Sequence, residues 1–362
     1  MCIAILSTTH PDYRFIILNN RDEFLSRPTA PAEWWTPEPS PISSPSTSPP
    51  TTIPIPNLER GSTRILSARD LARPAHGTWL GINSEGRLGV LTNCLEKVCA
   101  RAVGGLSRGG VIKRWLISNP DDNADEHDKD GEEEDGKRSI LSFVNHLTGI
   151  RDVGGFNLLL GDVRNEQLAI ISNRSAGTDC CPEDEEGQVK IRWIEHDSKD
   201  GETIALSNMT LSDSPGSPQS EKWKKMVLGE DLTFSAIQAS VENTEDEDAL
   251  INRLFGVLST DTLPRLPGGL SEDAEAYLGL LRESVFVPVV GKPVQLHEQK
   301  EGEVLNSSYM QGLYGTQTQT VMLVGYDGRV RFVARTLYDD DGRRRLNSEE
   351  GEGVNEFVFS VG

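Results

Sequence analysis

The chain has 362 residues and a net charge of −20, with 36% hydrophobic and 25% charged residues. That length suits one large domain or two of ordinary size, and so acidic a chain lacks the basic footprint of a nucleic-acid binder. No apolar stretch reaches the roughly 18 to 20 residues of a membrane-spanning helix, and no basic region followed by an apolar core opens the chain, so neither a membrane span nor a signal peptide is expected.

In chain order, the pattern predicts a strand over Cys2 to Leu6, a turn at His10-Pro11-Asp12 and a second strand over Arg14 to Asn20. Arg27 to Trp35 is a Pro-punctuated segment, and residues 36–57 form a low-complexity Pro/Ser loop. Structure is expected to resume at Thr78 to Asn83, turn at Ser84-Glu85-Gly86 and return over Arg87 to Asn93 as a hairpin. Helical spacing over Leu106 to Ser118 and Lys137 to Leu147 flanks residues 120–137, whose acidic, apolar-poor composition predicts a disordered insertion. Such a segment suits either plain solvation or docking of a basic protein partner.

Phe156 to Gly161 and Gln167 to Ser172 read as a third hairpin, followed by strands at Val189 to Ile194 and Thr203 to Leu206. Helices are predicted at Glu221 to Leu228, Phe234 to Val241, Asp246 to Leu258 and Glu272 to Arg282. A last hairpin joins Thr320 to Gly325 and Arg329 to Arg335 around Tyr326-Asp327-Gly328. Roughly ten strands joined mostly as hairpins, with helices in blocks, indicate an α+β fold of antiparallel sheets layered with helices. The glycines at 104, 105, 109 and 110 lack the spacing of a phosphate cradle.

Among candidate groups, Met1-Cys2 stands out. Methionine before a small residue is normally trimmed, which would leave a cysteine whose own α-amine serves as base for its thiol. A turn centred near Pro11 brings Arg21 and Asp22 back beside Cys2. The same residues also suit a buried edge cysteine and a plain ion pair. Asn93, Asn173 and Asn208 each close or follow a strand, where an amide can face a site or simply hold a turn. The five cysteines are an odd number, read as reduced thiols in a cytosol-like compartment. Cys94 and Cys99 have no second pair and the six histidines are scattered, so no metal or cofactor is expected.

Met1-Cys2-Ile3, Asn20-Arg21-Asp22-Glu23, Arg27-Pro28-Thr29, Gly77 to Asn83, Leu91-Thr92-Asn93, Phe156-Asn157-Leu158-Leu159, Leu206-Ser207-Asn208 and Tyr314-Gly315-Thr316 follow one another in order. As a set they resemble the NRDE family of transport and Golgi organization 2-like proteins, from residue 1 to about 338. The resemblance implies an N-terminal nucleophile (Ntn) hydrolase-like fold over a single domain of residues 1–362, a four-layer αββα sandwich of two antiparallel sheets between helical layers. It also implies distant similarity to choloylglycine and penicillin V acylases. On that basis Cys2 is the nucleophile, Arg21 and Asp22 orient its thiol and amine, and Asn93 and Asn208 contact the oxyanion and amine.

Two departures bear on the ligand's charge. Ile204-Ala205 stands where the family often has His-Gly, and Gln317 where it often has Arg. The resemblance favours a carrier or trafficking factor holding a small apolar or amphipathic ligand in an Ntn-type cleft, and the alternative is a cysteine hydrolase of small acyl amides. The resemblance links the carrier reading to secretory-pathway and Golgi organisation and to lipid or haem homeostasis. It implies a cytoplasmic location with Golgi or mitochondrial association. No histidine stands in a haem-ligand context.

Overall fold

The computed structural model describes residues 1–37, 63–95, 107–118, 135–147, 153–174, 189–194, 201–209, 222–272, 274–293, 312–339, 341–345 and 353–361. The Pro/Ser loop beyond residue 37 and residues 120–134 of the acidic insertion therefore lie outside the described residues. Residues 135–137, expected to belong to the insertion, instead begin a helix.

The class is α+β, with two antiparallel sheets and helices in blocks. The chain divides into two compact units, one comprising Met1–Thr29, His196–Ser207 and Glu221–Ser360, the other Ala30–Glu195, Asn208–Ser220 and Val361–Gly362.

The first unit carries β1 (Ile3–Ser7), β2 (Tyr13–Phe24), β10 (Thr203–Ser207), β11 (Tyr314–Gly325), β12 (Arg329–Thr336) and β13 (Val354–Ser360), in the order β10-β1-β2-β11-β12-β13. Its β1 is buried along its whole length, which a run as apolar as Ile-Ala-Ile-Leu permits. The first hairpin pairs Ile3 with Asn20, so its positions sum to the constant expected from a turn near Pro11. Two helices cover this sheet. The helix Lys224–Glu242 lies on β1 and β10, and Glu247–Leu258 lies on β2 and β11. The second begins at Asp246, whose side chain caps Ala249 N at 2.8 Å.

Sequence spacing suggests separate helices at Glu221 to Leu228 and Phe234 to Val241, but one continuous helix of 19 residues, Lys224–Glu242, forms. Gly229 is there for packing: a Cβ would stand 2.9 Å from Ile5 Cδ1 and 3.2 Å from Ile3 Cδ1. Removal of that carbon lets helix and strand approach closely. Downstream, Gly269–Glu272, Ala274–Leu280 and the 3-10 turn Leu281–Glu283 replace the single helix expected over Glu272 to Arg282.

The second unit holds β3 (Thr29–Trp35), β4 (Ile65–Asp70), β5 (Leu80–Asn83), β6 (Arg87–Asn93), β7 (Phe156–Asp162), β8 (Gln167–Ser172) and β9 (Lys190–Ile194), hydrogen-bonded in that order. Helices α1 (Arg108–Ile117) and α2 (Asp135–Leu147) pack on β5 to β8 around Trp115, Phe143, Leu158 and Ile171. Numbered on in chain order, Lys224–Glu242 of the first unit is α3 and Glu247–Leu258 is α4. Three strands, β3, β4 and β13, escape prediction. Two of them are edge strands: β3 accommodates Pro31 because one side needs no donor, and β13 alternates exposed with half-buried residues.

Candidate functional site

Antiparallel pairing within the first unit decides where the reactive groups meet. With Ile3 opposite Asn20 on one side and opposite Ser207 on the other, the residues preceding β1 emerge between the far ends of β2 and β10. On the next strand Tyr314, Gly315 and Thr316 pair with Phe24, Glu23 and Asp22. A register shift lies between Thr316 and Thr318. Such a bulge re-aims side chains at a strand end.

The resulting cluster is centred on Asp22, whose carboxylate is wholly buried and answered on three sides. Thr316 Oγ1 donates to its Oδ1 at 2.7 Å. On Oδ2 lie the α-ammonium of Met1 at 3.3 Å and Lys225 Nζ at 3.5 Å. Lys225, on α3, is itself wholly buried and donates a 2.6 Å hydrogen bond to the Met1 carbonyl oxygen. Two cations beside a buried carboxylate offset part of the cost of taking these charges out of water.

Cys2 lies against the backbone of the same residue. Its thiol donates to the Asp22 carbonyl at 3.7 Å, which Tyr314 also reaches through its hydroxyl at 3.3 Å, while the Met1 ammonium donates to the Tyr314 oxygen. Ser207 Oγ holds the Cys2 carbonyl at 2.7 Å. Burial pushes the Cys2 thiol up; the nearby α-ammonium pulls the other way and the Asp22 charge adds to the rise. Burial likewise holds the Tyr314 phenol well above its ordinary value. Both groups are therefore protonated at neutral pH, and thiolate formation requires a base.

Arg21 takes a different direction. It donates to Gln317 Oε1 and lies 3.9 Å from Glu23, which also pairs with Arg27 at 3.4 Å. Gln317 in turn donates to the Leu25 carbonyl at 3.3 Å. An arginine at position 317 would set a second cation against Arg21, whereas glutamine supplies an acceptor. The other departure is also accommodated, since Ala205 N donates to Glu230 Oε1 at 2.8 Å.

The asparagines belong to the second unit. Asn93 ends β6, and Asn208 accepts from Leu95 N at 2.7 Å through its carbonyl. The side-chain oxygens of both are buried and accept no hydrogen bond among the described residues. Asn157, in the same unit, donates to the Met209 carbonyl at 2.7 Å and to Thr92 Oγ1 at 3.3 Å. Asn173 is structural: its Oδ1 accepts from Phe156 N at 2.8 Å and pins the start of β7. Among the described residues no group of three or more His, Cys, Asp or Glu side chains is arranged to hold a metal ion, and no helix is long and apolar enough to cross a membrane.

A family model described as Transport and Golgi organisation 2 matches residues 1–48 and 54–339. The chain belongs to that family. An uncharacterised protein of Saccharomyces cerevisiae is 26% identical over 352 residues, covering 94% of this chain and 93% of its own. The Transport and Golgi organization protein 2 homolog of Homo sapiens is 26% identical over 330 residues, covering 91% and 88%. Among solved structures, a variant of the conjugated bile acid hydrolase of Clostridium perfringens aligns over 99% of this chain and 97% of its own, at 6% identity and a TM-score of 0.43.

Sequence reading misses Lys225, and Tyr314 and Thr316 enter it only as letters of a motif. The local signal for Lys225 is a lysine within the apolar spacing of a helix. Its partners lie 203 and 224 residues away in the chain, which no local pattern reports.

Proposed function

We propose that this member of the Transport and Golgi organisation 2 family uses Cys2 as a nucleophile toward a small acyl amide, once Met1 has been removed. The observation that carries the reading is the convergence of the Cys2 thiol, the buried Asp22 carboxylate, Lys225 and Tyr314 at one strand end. In the reaction, the freed Cys2 amine accepts the thiol proton and the sulfur adds to the acyl carbon. The C–N bond then breaks, with the proton passing to the leaving amine, and water hydrolyses the thioester to the acid. Asp22, whose carboxylate lies 3.3 Å from the Met1 ammonium while Met1 is present, is proposed to hold the Cys2 amine once it is freed, and Arg21 contributes positive charge close to the thiol. Asn93 and Asn208 are proposed as amide donors to the oxyanion on residue type and family pattern alone.

Intact mass and labelling with a thiol-reactive acyl probe test this reading. The expected result is an N-terminal Cys2 that is acylated in the wild type and unlabelled in Cys2→Ala. Retention of Met1, or equal labelling of both proteins, would exclude it.

The rise of the thiol on burial favours a second reading, carriage of an apolar or amphipathic ligand without turnover. Under it, Cys2→Ser leaves cellular activity intact. The names of the relatives support a cellular role in transport and Golgi organisation. Cytoplasmic location with Golgi or mitochondrial association, and a part in lipid or haem homeostasis, are proposed on family resemblance alone.

A further inference from the structure

Met1 is an acyl group on the Cys2 nitrogen, and residues of the first unit contact both its carbonyl and its side chain. Its carbonyl oxygen accepts from the buried Lys225 ammonium at 2.6 Å. Its thioether chain packs against an apolar cluster of Leu263, Tyr277, Leu281, Val287 and Val290, rimmed by the half-buried Leu266 and Leu270. Nitrogen and sulfur of one cysteine are separated by two carbons, so an acyl group carried on Cys2 Sγ is tethered next to where the methionyl group sits. The lysine stem is flexible enough to follow its oxygen.

We propose that Met1 marks the acyl subsite of the enzyme. The substrate is an amide of a short, unbranched, apolar acid about as long as a methionyl group. Its carbonyl oxygen is held by Lys225, and its chain lies among Leu263, Tyr277, Leu281, Val287 and Val290. This rests on the nucleophilic reading of Cys2 and specifies its substrate.

Lys225 also changes the electrostatics of the step. An ammonium placed on a carbonyl oxygen meets more negative charge in the tetrahedral intermediate than in the amide, so it stabilises the transition state differentially. The pairing with Asp22 fixes the ammonium without supplying a competing carbonyl. Packing against the cluster sets the preferred chain length, because a chain longer than methionyl must displace packed side chains or run into solvent.

The test uses the mature protein, with loss of Met1 verified by mass, and acetyl, butanoyl, hexanoyl, decanoyl and hexadecanoyl 4-nitroanilides. Hexanoyl matches the chain length of methionyl and is expected to have the highest kcat/KM. Butanoyl should fall about tenfold, as two unburied methylenes require, and hexadecanoyl should fall further. Leu270→Phe narrows the rim at a half-buried position and is expected to move the optimum to butanoyl with unchanged circular dichroism. Lys225→Met is expected to lower kcat for every chain length without altering the preference, with partial rescue by Lys225→Arg. Equal rates across the series, a hexadecanoyl optimum, or a preference unmoved by Leu270→Phe would overturn the subsite while leaving the nucleophile standing. No turnover and no acylation of Cys2 by any member would overturn both.

Discussion

Asp22 organises the candidate site by accepting what several distant segments donate. Thr316, Lys225 and the Met1 ammonium all answer one carboxylate that has no exposure to water. Replacing it with asparagine keeps the shape but leaves the buried Lys225 charge without its counter-ion. Breaking a buried pair in this way costs about 3–5 kcal/mol. Urea denaturation of Asp22→Asn is expected to show a loss in that range, and a change below about 1 kcal/mol would mean that the pairing contributes little to the stability of the fold. Asp22 and Arg21 are legible at the residue scale because a hairpin brings residues of constant sum together. The division of labour between them is not. Asp22 faces the cations, whereas Arg21 reaches Gln317 and Glu23.

At the scale of elements, hairpins read well from sequence and edges poorly. The strands around Ser84-Glu85-Gly86 and Tyr326-Asp327-Gly328 form as expected because turn residues and alternating apolar positions are local signals. Helix α3 shows the opposite case. The helical spacing stops at Leu228 and resumes at Phe234, yet one unbroken helix forms, with Gly229 where Ile3 and Ile5 approach closely. Gly229→Val should therefore push α3 from β1 and destabilise the protein by about 1–3 kcal/mol, the usual cost of overpacking. A thermal melt unchanged from the wild type would show that the contact yields freely. Since α3 also carries Lys225, the same displacement would reach the Met1 carbonyl.

Over the whole molecule, the first unit's helices are also tied to its sheet by charge. Glu247 accepts from Arg329 at 2.7 and 3.0 Å, from Arg331 at 2.9 Å and from Tyr13 at 3.1 Å. Burial pushes its carboxyl up, but these hydrogen bonds outweigh burial and hold it at about 2. Because that folded value lies below the ordinary 4.5, the stabilisation is full above pH 4.5 and is lost as pH falls toward 2. Partial exposure of these groups discounts its size. Glu247→Gln is expected to flatten the acid limb of stability against pH over that interval, and an unchanged limb would assign acid sensitivity to other carboxylates. By itself the sequence determined the α+β class, the first hairpin and the candidate nucleophile with Arg21 and Asp22, because alternation, turn chemistry and antiparallel register act over a few tens of residues. Only the tertiary structure decided that Lys225, Tyr314 and Thr316 complete the cluster and that Met1 packs against an apolar group. Those contacts join positions more than two hundred residues apart, where the free energy lies in burial and charge pairing that no stretch of sequence contains.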